Sequence, residues 1–208
     1  TPAVIIDPLV GLITDLVLAA AFLIIAEHRI VFRYKDKYIE MVDPEYELLM
    51  RLKNENRPEY KRAIHCAYLC DRIADKMELN RILLKGAGFY HRIGVISDKD
   101  GSIEDNSVHM LEENLFPPQL TALVREYGNP DRKAVSVEAS VLMISERVID
   151  TIMKTASSDT INYDEVIDKV YSSYVLNGIL KNTMMSYHDM NRLIGYMKEE
   201  KLYYDFLR

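Results

Sequence analysis

Apolar residues recur at helical spacing over most of the chain from Asp43 onward, and this periodicity is what most limits the fold. The clearest case begins near Pro58, where apolar positions fall three or four residues apart on one face. These positions are Ala63, Cys66, Ala67, Cys70, Ile73, Ala74 and Met77. The period of two that half-buried strands require is nearly absent. The pattern therefore predicts an all-α bundle of about seven or eight helices.

Start and stop signals divide this pattern into elements. After a short extended stretch at 38–42, Asp43-Pro44 predicts an N-cap and a first helical turn, with the helix ending near Asn56. Pro58 predicts the start of the next helix. Further helices are predicted over about 80–91, 118–127, 137–152, 163–180 and 186–207, and a polar loop over 97–106. His188-Asp189 falls in the first turn of the last helix, with Ser186 as its cap, so we interpret this pair as structural.

Composition excludes some classes of function. The formal charge of -6 argues against a protein that coats DNA or RNA, because such proteins carry a basic surface. The two cysteines, Cys66 and Cys70, cannot build an extracellular disulfide framework, which favours a reducing compartment. They could form part of a metal site, but the apolar stripe around them favours buried, unreactive side chains.

The segment 4–26 is about as long and apolar as a helix that crosses a bilayer. Asp15 near its middle argues against spanning, since a carboxylate there costs roughly 3 kcal/mol. The basic residues that follow are typical of a cytoplasmic flank: His28, Arg29, Arg33, Lys35 and Lys37. We therefore predict a transmembrane helix within 1–30, a linker and first helix over 31–57, and a cytoplasmic domain over 58–208. The alternative is a soluble helical interaction domain whose N-terminal helix packs on its own core.

The segment 88–94 reads Gly-Phe-Tyr-His-Arg-Ile-Gly. HD-type metal-dependent phosphohydrolases place an aspartate directly after such a histidine, because that carboxylate bridges the metals that activate water. Here Arg92 follows His91, and a guanidinium is a permanent cation without a lone pair. The segment thus resembles an HD motif that has lost its acid.

Several further blocks, in the same order, resemble the cytoplasmic HD domain of the seven-transmembrane HD family, whose active members hydrolyse cyclic di-AMP. The matching blocks lie at 38–50, 58–63, 138–150, 177–180 and 185–190. The resemblance covers most of the chain from Phe32 onward and implies an HD-domain helical bundle. It also implies that the N-terminal apolar helix corresponds to the family's last membrane span, so the protein is expected at the membrane.

Carried over position by position, the resemblance leaves few metal ligands. The family's first ligand histidine falls on Arg62, its second on His91, and the acid beside it on Arg92. Its paired histidines fall on Glu126 and Tyr127. The last aspartate falls on Glu146, and His109 is a candidate for the remaining histidine. His65 shares a helix face with Arg62 and could line the same pocket.

Three interpretations of this altered site stay open. The two arginines could pair with Glu126 or Glu146 in an ionic cluster that replaces the metals, or they could hold a phosphate without cleaving it. Alternatively, His91 and Glu146 could keep a metal such as Mn or Fe, and with it cyclic di-AMP hydrolysis. We expect the first: a membrane-anchored pseudoenzyme without a cofactor, acting in signalling, ligand binding or scaffolding. A cyclic dinucleotide or another phosphate-bearing ligand is an expected partner, DNA and RNA are not, and a homo-oligomer stays open.

Overall fold

The computed structural model describes residues 15–25, 37–129, 134–155 and 161–205, and in these ranges the all-α prediction is confirmed. From residue 41 onward they contain nine α-helices, one 3₁₀ turn and no strand. The helices are α1 (Glu47–Glu55), α2 (Arg57–Lys76), α3 (Arg81–Tyr90), α4 (Ile103–Glu113), α5 (Pro118–Tyr127), α6 (Val137–Thr155), α7 (Tyr163–Leu176), α8 (Tyr187–Glu199) and α9 (Lys201–Asp205). The 3₁₀ turn is Ile93–Ile96.

Helix α2 is the centre of the bundle, and it contacts α1, α3, α6 and α8. Asn56 caps its start by accepting a hydrogen bond from the Glu59 amide at 3.2 Å. The predicted apolar stripe is buried: Ala63, Cys66, Ala67, Cys70, Ile73, Ala74 and Met77. At Gly88 on α3, an added Cβ would lie 2.5 Å from the Ala67 Cα, so glycine permits the close crossing of α2 and α3. This crossing holds the end of α3, and therefore His91 and Arg92, beside the first turns of α2.

Three local predictions near the start of the domain were wrong. Residues 37–40 form a helical turn instead of an extended stretch, and the Met41 amide donates to the Lys37 carbonyl at 2.9 Å while Met41 is buried. The next helix begins at Glu47, because Asp43 accepts a bond from the Glu45 amide at 2.8 Å in a separate turn. The predicted loop over 97–106 is shorter, since α4 begins at Ile103.

The last two predicted helices are also shorter than expected. Helix α7 ends at Leu176, and the turn that follows contains Gly178 at φ 68, a conformation that ends helices. The final predicted helix is two elements, α8 and α9. The start of α8 agrees with the sequence, because Ser186 and Asp189 form a reciprocal capping box. His188-Asp189 is therefore part of a helix start, as predicted.

Residues 15–25 are helical, and their apolar side chains are exposed, with Leu16 at 72% and Phe22 at 71%. The alternative to a membrane span was a helix buried in the core of the domain. The exposed side chains of residues 15–25 do not match that alternative. Residues 4–14 and 26 of the predicted span lie outside the described residues. Within the described ranges, no helix has both the length and the apolar character needed to cross a bilayer.

Candidate functional site

Three helices bring the candidate residues together. The first turns of α2 carry Glu59 and Arg62, and the end of α3 carries His91 followed by Arg92. Helix α6 carries Glu146, whose carboxylate interacts electrostatically with both arginines. Both guanidinium groups also act on the imidazole of His91. These interactions agree with the prediction that Arg62, His91, Arg92 and Glu146 converge.

The two arginines share one carboxylate, Glu59. The Arg62 Nη1 atom lies 3.0 Å from Glu59 Oε1, and the Arg92 Nε atom lies 3.4 Å from Glu59 Oε2. The Glu59 side chain is 15% exposed, so this acid balances two cations in a partly desolvated position. Its spacing of three residues before Arg62 in a helix is the sequence signal that could have identified the pair.

Asp150 on α6 holds the other side of Arg62. The Arg62 Nη2 atom lies 2.9 Å from Asp150 Oδ1, and the Asp150 side chain is only 5% exposed. Lys154 at 2.7 Å and Arg147 at 3.5 Å also contact Asp150 from its own helix. We call Glu59, Arg62, Arg92 and Asp150 the ionic cluster. The sequence analysis predicted an ionic cluster but paired the arginines with the wrong acids, Glu126 or Glu146. It missed Glu59 and Asp150 because neither residue falls on a metal-ligand position of the HD pattern.

Glu126 does not pair with the arginines. Its carboxylate accepts hydrogen bonds from the Val135 and Ser136 amides at 2.6 and 2.7 Å, and from the Ser136 hydroxyl at 2.8 Å. These donors lie directly before α6, so Glu126 compensates the unpaired amides at a helix start. Its neighbour Tyr127 is the residue of this pair that faces the site, where it contributes to the raised pKa of Arg92.

Glu146 is partly buried, and burial raises the pKa of its carboxyl group. Its neighbour Asp150 raises that pKa further, whereas Arg92 and Arg62 act in the opposite direction. Within the described residues, no cation lies close enough to form an ion pair with Glu146. The nearby arginines pair with Glu59 and Asp150 instead.

His91 is 1% exposed and its two ring nitrogens have different surroundings. The Nδ1 atom lies 2.9 Å from the Gly88 carbonyl, so it carries the proton and donates it. The Nε2 atom then presents a lone pair, and it has no hydrogen-bond partner within the described residues. The ring packs edge-on against Tyr127, with centroids 5.0 Å apart. Burial lowers the pKa of His91 to about 4, and Arg92 and Arg62 contribute to this shift.

The depressed pKa of His91 predicts a loss of stability in acid. Above pH 6.5 the imidazole is neutral in the folded and unfolded chain, so it contributes no pH dependence. Between pH 6.5 and about 4 only the unfolded chain takes up the proton, so the free energy of unfolding should fall by about 3 kcal/mol. Below about 4 this contribution should level off.

Denaturant unfolding of the chain and of His91→Gln at several pH values would isolate this effect, because glutamine does not titrate. The difference between the two pH profiles should develop between pH 6.5 and 4. Imidazole resonances of His91 that titrate near pH 6.5 in the folded protein would contradict the prediction.

His65 and His109 have partners outside the ionic cluster. His65 Nδ1 forms a 2.6 Å hydrogen bond with the Tyr203 hydroxyl, which ties α2 to α9. His109 is 47% exposed and contacts Lys99 and Glu113 at the surface of α4. Cys66 and Cys70 are free and buried, as the apolar interpretation predicted.

The residues present do not fit the metal centre of an HD phosphohydrolase. Such a centre needs several neutral imidazoles and bridging carboxylates. Across the described ranges, His, Cys, Asp and Glu nowhere form a group of three or more suited to hold a metal ion. Arg62 and Arg92 place two permanent cations in this region, and like charge disfavours a divalent cation beside them.

A cavity of about 260 Å³ adjoins the ionic cluster, where Tyr127 and Glu146 form part of its wall. The wall also contains Glu104 and Asp105 from the first turn of α4, and Tyr174 from α7. Asp105 accepts a hydrogen bond from the Ser102 hydroxyl at 2.8 Å as part of the α4 cap. The sequence analysis did not predict helix α4, and for that reason it did not recognise Glu104 and Asp105 as site residues.

Comparisons with known proteins identify the fold. No protein-family model and no curated protein sequence matches the chain. A crystal structure of the HD domain of the L. monocytogenes phosphodiesterase PgpH in complex with cyclic-di-AMP superposes with a TM-score of 0.63 at 18% identity, covering 75% of this chain and 96% of that chain. A second structure of that HD domain gives a TM-score of 0.64 at 16% identity, covering 76% and 100% of the two chains. At this identity the likeness concerns the fold, and the chain therefore has the fold of an HD domain.

Proposed function

We propose that this chain is a catalytically degenerate HD domain that acts in signalling by binding a ligand or partner, without hydrolysis. The observation that carries the proposal is the ionic cluster. Glu59 bridges two guanidinium groups, those of Arg62 and Arg92, which the sequence resemblance matches to metal-ligand positions. An HD site offsets two dications with carboxylates, whereas here the carboxylates are paired with arginines of the chain itself.

The same geometry argues against a phosphate clamp as the main role of the arginines. A clamp requires guanidinium donors that are free to make bidentate bonds to the phosphate. Arg62 is engaged by Glu59 at 3.0 Å and by Asp150 at 2.9 Å, whereas the Arg92 Nε atom lies 3.4 Å from Glu59 without a hydrogen bond. A phosphate would have to displace both acids from Arg62, so we favour the ionic cluster as a structural replacement for the metals.

We also propose that the domain is held at the cytoplasmic face of a membrane, and the apolar N-terminal segment supports this. Its helical residues 15–25 expose an apolar surface that water does not favour. Membrane fractionation of the full chain and of a version lacking residues 1–36 would test this. Both forms in the soluble fraction would contradict the membrane assignment.

A second candidate is a metal-dependent phosphodiesterase with a rearranged site. The unpartnered Nε2 lone pair of His91 favours it, because this nitrogen is free to bind a metal. Glu146 could supply a carboxylate oxygen, and Mn or Fe are the metals that the family resemblance suggests. The few ligands available make this the weaker candidate.

We expect no hydrolysis of cyclic di-AMP by the purified chain with Mn or Fe, and no stoichiometric metal after purification. Arg92→Asp alone should not restore activity, because Arg62 and the Glu126-Tyr127 pair remain in place of histidine ligands. Chromatographic assay of the product, with an active HD-domain phosphodiesterase as the positive control, would measure this. Turnover by the unaltered chain that depends on Mn would support the second candidate and overturn the first.

A further inference from the structure

The connection between α7 and α8 presents a group of apolar side chains to solvent. Leu176 at the end of α7 is 84% exposed, Met184 is 77% exposed, and Tyr187 at the start of α8 is 75% exposed. Val175 and Val135 are also exposed, and the Met184 amide donates a hydrogen bond to the Val135 carbonyl at 2.8 Å. We call Val135, Val175, Leu176, Met184 and Tyr187 the connection patch. Grouped apolar residues on a surface are typical of a contact with a protein or a membrane.

The connection is fixed to the domain, so the patch has a defined shape. Leu180 and Met185 are buried beneath it, which leaves the intervening Met184 turned outward. The Tyr171 hydroxyl lies 3.5 Å from the Met190 sulfur, and this contact holds α7 against the first turn of α8. The exposed apolar side chains therefore belong to a packed part of the fold.

The charge of this region indicates what covers the patch. Lys181 is exposed and is the only charged residue of the segment 175–187, although the chain has 32 acidic and 26 basic residues. Asp189, the first acid after this segment, is engaged with Ser186 in the cap of α8. A tyrosine and a lysine on an apolar surface match the interface of a bilayer that contains anionic lipids. A two-fold contact between copies would turn their Lys181 side chains toward each other, and like charge disfavours it.

We infer that the connection patch is a second membrane contact, which docks the domain on an anionic lipid surface beside its anchor. The inference rests on the proposed membrane attachment through the N-terminal segment. Eleven residues, 26–36, separate the helix at 15–25 from the first described residue of the domain, Lys37. A chain of that length reaches at most about 40 Å. The tether keeps the domain close to the bilayer, and a small patch can dock because its effective concentration there is high.

Tryptophan fluorescence can report this contact, because the chain has no tryptophan of its own. The full chain is reconstituted into vesicles of equal parts phosphatidylcholine and phosphatidylglycerol. Brominated lipid should quench the tryptophan introduced by Tyr187→Trp. The matched control is Leu202→Trp, since Leu202 is 81% exposed and its neighbour Lys201 pairs with Asp164 at the start of α7. That end of α7 lies about 20 Å from the patch, so the control should show no quenching by lipid.

Two changes in the reporter variant Tyr187→Trp test the sources of docking. Leu176→Ser together with Met184→Ser removes exposed apolar surface, and the quenching should fall to the level of the control. Lys181→Gln should shift the equilibrium about fivefold toward the undocked domain, and only in vesicles that contain phosphatidylglycerol. Circular dichroism verifies the fold of each variant. Leu176→Trp, combined with Met184→Ser alone, is the second reporter if Tyr187→Trp proves unstable.

Vesicle flotation separates this inference from the proposed membrane attachment. A full chain that floats with the vesicles, while Tyr187→Trp is quenched no more than Leu202→Trp, would overturn the patch and leave the attachment standing. A chain that stays in the soluble fraction would overturn the attachment and, with it, this inference. Self-association that Leu176→Ser and Met184→Ser abolish, without quenching by lipid, would assign the patch to a contact between copies and also overturn the inference.

Discussion

Replacing Asp150 with asparagine should lower the free energy of unfolding by about 3 kcal/mol. The substitution removes the charge of a side chain that is 5% exposed, and leaves Arg62 with only Glu59 as an ion partner. Removing one member of a buried ion pair is costly mainly because the other charge remains desolvated. The partial exposure of Arg62, at 21%, places the expected value at the lower end of the range for such pairs.

Arg147→Gln is the matched control for this prediction. Arg147 also contacts Asp150, at 3.5 Å, but its side chain is 54% exposed, so its removal should cost less than about 1 kcal/mol. Denaturant unfolding followed by far-UV circular dichroism suits the chain, which has no tryptophan. A double variant with Arg62→Gln should cost less than the sum of the single changes, because each removes the same pair. Additive effects would mean that Asp150 and Arg62 do not form a coupled pair.

Gly94→Ala should destabilise the domain by about 3 kcal/mol or more. An added Cβ would lie 2.2 Å from the Ile103 carbonyl oxygen and 2.5 Å from the Ser107 amide nitrogen. Both atoms belong to the backbone of α4, so the helix itself must move to relieve the overlap. The shift would also disturb the 2.9 Å hydrogen bond from the Gly94 amide to the Ser107 hydroxyl.

Gly195→Ala provides the matched control. Gly195 lies within α8, and nothing approaches an added Cβ within 4 Å, so alanine should stabilise the domain by about 0.5–1 kcal/mol. Denaturation midpoints of the two variants should therefore move in opposite directions. If Gly94→Ala had the same stability as the unaltered chain, the close approach between the 3₁₀ turn and α4 would be wrong.

The sequence predicted most of the helices because each carries its own local signals. The apolar stripe of α2, the proline at the start of α5 and the Ser186 cap of α8 depend on neighbours in the chain alone. The boundaries that were wrong depend on more distant contacts or on turns. Helix α4 was missed although Ser102 and Asp105 form a typical cap, because its surrounding sequence is polar and contains Gly101.

The candidate site shows the same division. The match to the HD motif predicted that Arg62, His91, Arg92 and Glu146 lie in one region. It could do so because residues at matched positions of the same fold occupy the same place in space. It did not identify Asp150, because a pattern of metal ligands does not indicate which acid pairs with Arg62.

By itself, the sequence predicted the helical class and the resemblance to an HD motif, with arginines at two positions that the resemblance matches to metal ligands. It did so because helical periodicity and residue chemistry can be read locally. Only the tertiary structure decided which acids neutralise these arginines, that Glu126 belongs to a helix start, and that three carboxylates share one cavity wall. Ion pairing depends on distances of a few ångströms between residues far apart in the chain, and those distances exist only once the helices have packed.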